Sequence, residues 1–149
     1  MRIAIGSDHA GFEQKELIRK HLLERGDEVE DLGTFSEDSV DYPDFGLAVA
    51  RSVAKGEADR GVLVCGTGIG MAIAANKIIG VRAANVTSEA FARLARQHND
   101  ANVVTVSGRF VSPDVNQSIV DVFLDTEFEA GRHAGRIDKI TAAESERGA

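Results

Sequence analysis

The fold is decided by the stretch GVLVCGTGIG, residues 61–70, in which an apolar run of strand length leads directly into a glycine-rich turn. The residues after the turn, from Met71 to Lys77, are rich in alanine and predict a helix. A buried strand, a glycine turn and a helix in immediate succession are typical of the βα unit of a parallel sheet.

The same alternation of strand and helix recurs along the whole chain. Outward from residues 61–70, apolar runs predict further strands at 2–6, near Val29 and Leu32, at 81–86 and at 103–106, with helices between them. Parallel neighbours need such long crossover connections. We therefore expect a single α/β domain over residues 1–149, a Rossmann-like three-layer sandwich with a five-stranded parallel sheet. The tail from Gly131 predicts a last helix, which we expect to reach a partner subunit.

Composition restricts the class of partner. The 149 residues are 43% apolar and 28% charged, as in ordinary globular proteins. A net charge of -7 and 5% aromatic residues argue against binding to nucleic acid or to an anionic membrane. No apolar run approaches the roughly 20 residues of a membrane helix, and the N-terminus lacks a signal-peptide pattern. With one cysteine, the expected location is the cytoplasm.

Polar residues follow several of the predicted elements. Residues 7–9 follow the first strand, Cys65 follows the third, residues 98–102 follow the fourth helix and residues 107–109 follow the fifth strand. Ligands of parallel sheets bind beyond the carboxyl ends of the strands. We therefore expect these residues to share one rim of the sheet.

The glycine run Gly66–Gly70 is suited to binding an anion, because backbone N–H groups converge there at a helix N-terminus. The alternative is a tight turn that only packs the strand on the helix. The run is neither a complete dinucleotide fingerprint nor a P-loop, since no Gly-Lys-Ser/Thr follows.

Cys65 is a candidate acid–base group, and His98 is a second conspicuous side chain beside the predicted rim. A helix N-terminus favours the thiolate of a nearby cysteine, so Cys65 is a candidate base; the alternative is a buried structural cysteine. A cysteine phosphatase needs arginine six positions later, where this chain has Met71. His98 stands at a helix end, where a histidine often only caps the helix.

Arg132 and Arg136 are four residues apart on the predicted last helix, so both side chains project from one face and are able to hold a phosphate. The alternative is a solvated charged helix. The four histidines and the cysteine have no metal-ligand spacing, so no metal is predicted.

Several motifs recur together in a known family. In order they are GSDHAGF at 6–12, DYP at 41–43, CGTGIG at 65–70 with AANK at 74–77, RQHN at 96–99, and GRH at 131–133 with Arg136. From residue 2 to about residue 145, the chain resembles the ribose-5-phosphate isomerases of type B and the related galactose-6-phosphate isomerases. One branch of that family has Glu where Met71 stands here, so the chain resembles the cysteine branch.

The resemblance implies an aldose–ketose isomerase that converts ribose 5-phosphate and ribulose 5-phosphate through a cis-enediolate, without cofactor or metal. It implies a homodimer or homotetramer with sites at the dimer interface. Cys65 resembles the base and His98 the acid that opens the sugar ring. The residues that resemble substrate contacts are Asp8, His9, Gly66, Thr67, Gly68, Ile69, Gly70, Asn99 and Arg109, with Arg132 and Arg136 for the phosphate and Tyr42 and His133 as further candidates.

Two alternatives remain at this stage. The same chemistry acts on other sugar phosphates in relatives of this family, namely allose 6-phosphate, galactose 6-phosphate or a tetrulose phosphate. The other alternative is a non-catalytic module that binds phosphate or a nucleotide. Turnover of a panel of sugar phosphates tests the first alternative, and a thermal shift with ATP tests the second.

Overall fold

The computed structural model describes residues 1–147, so the last two residues of the predicted domain 1–149 lie outside the described residues. Strands and helices alternate through this part of the chain. In order they are β1 (Arg2–Ser7), α1 (Phe12–Glu24), β2 (Glu28–Asp31), α2 (Tyr42–Ala54), β3 (Arg60–Cys65), α3 (Ile69–Ala75), β4 (Ala83–Asn85), α4 (Glu89–Asn99), β5 (Val103–Ser107), α5 (Pro113–Asp125) and α6 (Arg132–Glu144).

The five strands form one sheet in the order β2-β1-β3-β5-β4, and every neighbouring pair is parallel. The predicted α/β fold class is confirmed. Strand β3 is central, with Val64 paired to Ser7 of β1 and Cys65 paired to Ser107 of β5. Cys65 therefore ends the middle strand, at the centre of the carboxyl edge of the sheet.

Both faces of the sheet are covered because the strands are apolar at successive positions rather than at alternate ones. One apolar core packs under α1, α4 and α5 and takes from the strands Ile3, Ile5, Val62, Val64, Val104 and Val106. The other packs under α2 and α3 and takes Ala4, Leu63, Cys65 and Val103. The thiol of Cys65 thus points to the α2/α3 face, together with the side chains that alternate with Val104 and Val106 on β5.

Two elements differ most from the predicted bounds. The fourth strand covers only Ala83–Asn85 instead of residues 81–86, and it lies at the edge of the sheet, where short strands avoid unwanted pairing. Helix α3 ends at Ala75, and the side-chain amide of the next residue, Asn76, exchanges two hydrogen bonds with the Ala83 backbone, at 2.8 and 3.0 Å. The helix predicted to run to Lys77 therefore ends two residues early, before the segment that leads to β4.

The last helix, α6, contacts its own chain. Ile137 is buried, the Glu144 carboxylate accepts the Gly80 N–H at 3.1 Å, and Arg147 donates to the Lys77 carbonyl at 2.9 Å. Its reach to a partner subunit stays a prediction. Across residues 1–147, none of the helices combines the length and apolar character that a bilayer crossing requires.

Candidate active site

Cys65 lies against the glycine loop that follows it. Its Sγ accepts the N–H of Gly68 at 3.1 Å, and the residue is only 5% exposed. Gly68 has φ +83°, and a Cβ there would come within 2.5 Å of Asn85 Oδ1. Only glycine therefore gives both the left-handed backbone and the close approach that bring this N–H onto the sulfur.

The carbonyl groups of the loop are held by β5 and by the residues that follow it. The Cys65 carbonyl accepts the Gly108 N–H at 2.8 Å, and the Gly66 carbonyl accepts the Ser107 hydroxyl at 2.7 Å. The Gly68 carbonyl accepts the Thr105 hydroxyl at 2.8 Å. These bonds occupy three carbonyl oxygens of the loop with donors from β5 and Gly108. The N–H of Ile69 is also engaged, with Thr67 Oγ1 at 3.1 Å, so the remaining N–H groups of the loop are the candidate donors to an anion.

Other predicted site residues surround the loop at the same edge. Asp8 is buried and its carboxylate accepts the Gly11 N–H at 3.0 Å. His9 Nδ1 accepts the Val40 N–H at 3.2 Å, which leaves the other ring nitrogen as the donor toward a ligand. The Tyr42 ring packs on Gly70, where a Cβ would come within 2.8 Å of ring carbons.

Arg109 joins this group from the segment after β5. Its N–H donates to the Gly66 carbonyl at 3.1 Å, and its guanidinium lies over Gly66, whose Cβ would be 3.3 Å from Nη1. The side chain is exposed, so its charge is available beside the loop. We call the residues gathered here the carboxyl-edge group: Asp8, His9, Tyr42, Cys65, Gly66, Thr67, Gly68, Ile69, Gly70 and Arg109.

His98 and Asn99 do not lie at this edge, so the prediction of one shared rim is wrong for them. Helix α4 leaves the carboxyl end of β4 and returns the chain to the amino edge, where Asn102 O accepts the N–H of Gly61 near the start of β3. The Asn99 carbonyl accepts Arg82 Nε at 2.9 Å, just before β4. Strand β3 alone separates the two edges by roughly 16 Å at about 3.3 Å per residue.

The ring of His98 stacks on the ring of His133 at the start of α6, with centroids 4.2 Å apart and planes 16° apart. Burial lowers the pKa of His133 from its ordinary value of 6.5, and the nearby His98 and Arg132 lower it further. Glu129 acts in the opposite direction, with a carboxylate oxygen 3.7 Å from His133 Nε2. His133 is therefore held as the neutral ring of the stack.

Three potential metal ligands, His98, Glu129 and His133, have atoms within 4.8 Å of one another. The imidazole lone pairs lie in the ring planes, and two nearly parallel, stacked rings do not direct them at one point. The guanidinium groups of Arg132 and Arg136 also bear electrostatically on His133. This arrangement suits an anion better than a cation.

Arg132 and Arg136 are both exposed on the first turns of α6. Together with the stacked histidines they form what we call the amino-edge group: His98, Asn99, Arg132, His133 and Arg136. One chain thus carries two sets of predicted site residues at opposite edges of its sheet.

Sequence reasoning assigned no role in the site to three contributors. Thr105 and Ser107 hold loop carbonyls, and Glu129 faces His133. The hydroxyls left a signal, since they interrupt an otherwise all-valine buried strand, VVTVS. Glu129 left none, because its proximity to His133 depends on the turn before α6.

Comparison with known proteins identifies the family of the chain. The family described as Ribose/Galactose Isomerase matches residues 3–140. The chain is 48% identical to ribose-5-phosphate isomerase B of Escherichia coli over 146 residues, 98% of each chain.

Solved structures are similar over nearly their whole length. Ribose-5-phosphate isomerase B of Clostridium thermocellum has a TM-score of 0.97 at 51% identity, over 98% of this chain and 99% of that one. The enzyme of Mycoplasma genitalium with bound ribulose-5-phosphate has a TM-score of 0.94 at 50% identity, over 97% of both chains. The chain therefore belongs to the ribose/galactose isomerase family, as the sequence motifs predicted.

Proposed function

We propose that this protein interconverts ribose 5-phosphate and ribulose 5-phosphate, with Cys65 as the base. The chain is an aldose–ketose isomerase by its family and by relatives named for that reaction. The observation that carries the residue assignment is the Cys65 thiol, held by the Gly68 N–H at 3.1 Å beside a glycine loop with carbonyls occupied by donors from β5.

The reaction needs a base and a set of fixed donors. Removing the proton next to a carbonyl group makes an enediolate, and its negative charge is stabilised by N–H groups that are already in place. One such donor typically contributes about 3–4 kcal/mol to lowering the barrier. The loop Gly66–Gly70 is the candidate for these donors, and Cys65 moves the proton between C1 and C2 of the sugar.

The amino-edge group has the chemistry to bind and open the sugar. Arg132 and Arg136 offer two guanidinium groups to the phosphate, and Asn99 offers an amide to a hydroxyl group. His98 is the acid–base group for opening the ring, and neutral His133 supports it from the stacked position. In the carboxyl-edge group, Asp8, His9 and Arg109 contact the substrate, with Tyr42 packed beside the loop.

We propose that each complete site forms between two copies of the chain, as a homodimer or a homotetramer built from such dimers. The two groups lie at opposite edges of the sheet in one chain, and a strand of the length of β3 spans roughly 16 Å, too far for one small sugar phosphate to bridge. The edge strand β4 is flanked by exposed apolar residues, Ile69 and Ile73 on α3 and Phe91 and Leu94 on α4. Such an edge is suited to burial against a second copy.

The setting that we propose is the cytoplasm. The base has to remain a free thiol, and a reducing compartment keeps it so. Cys65 is the one cysteine of the sequence, so oxidation would convert the catalytic residue itself.

The test is turnover of a panel of four-, five- and six-carbon aldose phosphates by the purified protein and by Cys65→Ala. We expect the highest kcat/KM on ribose 5-phosphate, and a fall in kcat of about 10³-fold in Cys65→Ala with sugar phosphate still bound. Turnover of a six-carbon or four-carbon substrate alone would keep the chemistry and change the substrate. Near wild-type turnover by Cys65→Ala would refute the base assignment.

A thermal-shift measurement with ATP separates the enzyme from a nucleotide-binding module. We expect sugar phosphates to raise the melting temperature and ATP to leave it unchanged. Stabilisation by ATP, with no turnover of any sugar phosphate, would favour the binding module instead.

A further inference from the structure

Thr105 is a buried hydroxyl in the middle of strand β5. The strand reads VVTVS over Val103–Ser107, and all five residues are buried, with Thr105 fully inaccessible. Valine has nearly the same shape and avoids the cost of burying a hydroxyl group. A threonine at this position therefore needs a hydrogen-bond partner for its hydroxyl group. Replacing it with valine would leave that partner without its donor.

That partner is the backbone of the residue that holds the thiol. Thr105 Oγ1 donates to the Gly68 carbonyl at 2.8 Å, and the Gly68 N–H donates to Cys65 Sγ at 3.1 Å. Gly68 is thus fixed on both sides, on its carbonyl side by β5 and on its amide side by the sulfur. Through these two hydrogen bonds, Gly68 is the single residue between the Thr105 hydroxyl and Cys65 Sγ.

Gly68 needs such a fixed position because glycine has the greatest backbone freedom. Without the hydroxyl, its carbonyl keeps only the Ala72 N–H, 3.1 Å away at the first turn of α3. Thr105 Oγ1 also lies 3.2 Å from Asn85 Oδ1. A hydroxyl has one proton to donate, and the shorter contact favours the Gly68 carbonyl.

We propose that Thr105 is a positioning residue for the Cys65 base: its hydroxyl holds Gly68 so that the Gly68 N–H stays on the sulfur. The role follows from two consecutive hydrogen bonds and from a buried polar group in a valine strand. It rests on the proposed function only in taking Cys65 as the base.

The test compares Thr105→Val, which removes the hydroxyl and keeps the shape, with Thr105→Ser, which keeps the hydroxyl. In Thr105→Val we expect kcat to fall about tenfold, the equivalent of one lost hydrogen bond, with KM within about twofold. In Thr105→Ser we expect kcat near that of the wild type. Ser52→Ala is the control for loss of a buried hydroxyl away from the loop, and it should leave kcat unchanged.

A second measurement reads the thiol without turnover. Cys65 is the only cysteine, so the pH profile of its alkylation is free of background. We expect the midpoint of that profile to move to higher pH in Thr105→Val and to stay in place in Thr105→Ser, because the N–H donor on the sulfur favours the thiolate.

The outcomes separate the two claims. An unchanged alkylation midpoint in Thr105→Val, or equal losses of kcat in Thr105→Val and Thr105→Ser, would overturn the positioning role. An inactive wild type would overturn the isomerase proposal, while the alkylation profiles would still decide the role of Thr105.

Discussion

Mixing two inactive variants should restore activity if each site is shared between two chains. The variants are Cys65→Ala, which damages the carboxyl-edge group, and His98→Asn, which damages the amino-edge group. Each homodimer then has a substitution in both of its sites and is inactive. In a mixed dimer, one site collects both substitutions and the other site collects neither.

The size of the recovery follows from the geometry. The two groups lie at opposite edges of the sheet, and a strand of the length of β3 spans roughly 16 Å, so one chain cannot place both on the same sugar. When equal amounts pair at random, roughly half of the dimers are mixed and each has one intact site of two, which gives about one quarter of wild-type activity. The fraction is the same for a tetramer made of two such dimers. The separate variants should be about 10³-fold below wild type, so a quarter is readily distinguished.

The assay is isomerisation of ribose 5-phosphate by co-expressed variants, compared with each variant alone. The matched control is a mixture of Cys65→Ala with Asp8→Asn, two substitutions in the same group. Every site of that mixture carries one substitution, so it should remain inactive. Failure of the Cys65→Ala and His98→Asn mixture to recover activity, or equal recovery in the control mixture, would refute the division of the site between chains.

Three further predictions follow from individual contacts. Arg132→Ala should raise KM for the phosphorylated sugar about tenfold with a smaller change in kcat, whereas Lys139→Ala, exposed on the same helix, should not; equal KM values in both variants would argue against a phosphate role. Because the pKa of His133 is lower in the folded protein than in the unfolded chain, the unfolded chain binds a proton first as the pH falls. The free energy of unfolding is therefore highest above about pH 6.5 and decreases below it, and His133→Asn should make the melting temperature vary less between about pH 8 and about pH 5. Lys15 is fully buried and donates to Asp31 at 2.6 and 2.7 Å, so Lys15→Met should cost about 3 kcal/mol in urea unfolding, because the carboxylate then keeps only the Gly33 N–H at 3.0 Å and Arg19 Nε at 3.8 Å; a loss below about 1 kcal/mol would contradict that reasoning.

The fold was predictable because its information is local. Runs such as residues 61–65 are apolar at successive positions, which only a sheet covered on both faces accommodates. Glycine after the strand and alanine after the glycine then mark the turn and the crossover helix. Ends of elements were less predictable: α3 stops where the Asn76 side chain pairs with Ala83, a contact between residues seven apart that helical propensity does not encode.

The positions of the proposed site residues were predictable only in part. Cys65 ends β3 and Asp8 directly follows β1, and these two parallel strands are neighbours in the sheet. Parallel strands end at one edge, so the proximity of the two residues follows from the fold class. His98 lies in the last turn of α4, and the helix of a βα unit runs antiparallel to its strand, which takes His98 to the opposite edge. That geometry was available from the predicted elements, whereas the stacking of His98 on His133 depends on the turn that precedes α6.

The division between two edges has a thermodynamic consequence for assembly. If the sugar phosphate rests its phosphate on Arg132 and Arg136 of one copy and its reacting carbons on Cys65 of another, it binds the dimer and not the separate chain. By linkage, the substrate must then strengthen dimerisation by the same factor by which dimerisation strengthens substrate binding. The amino-edge group supplies the charge for this, because Arg132 and Arg136 are both exposed on the first turns of α6 and a bound phosphate pairs with their guanidinium groups. Dilution should therefore dissociate the unliganded protein before the liganded one, and substitution of Arg132 should remove that difference.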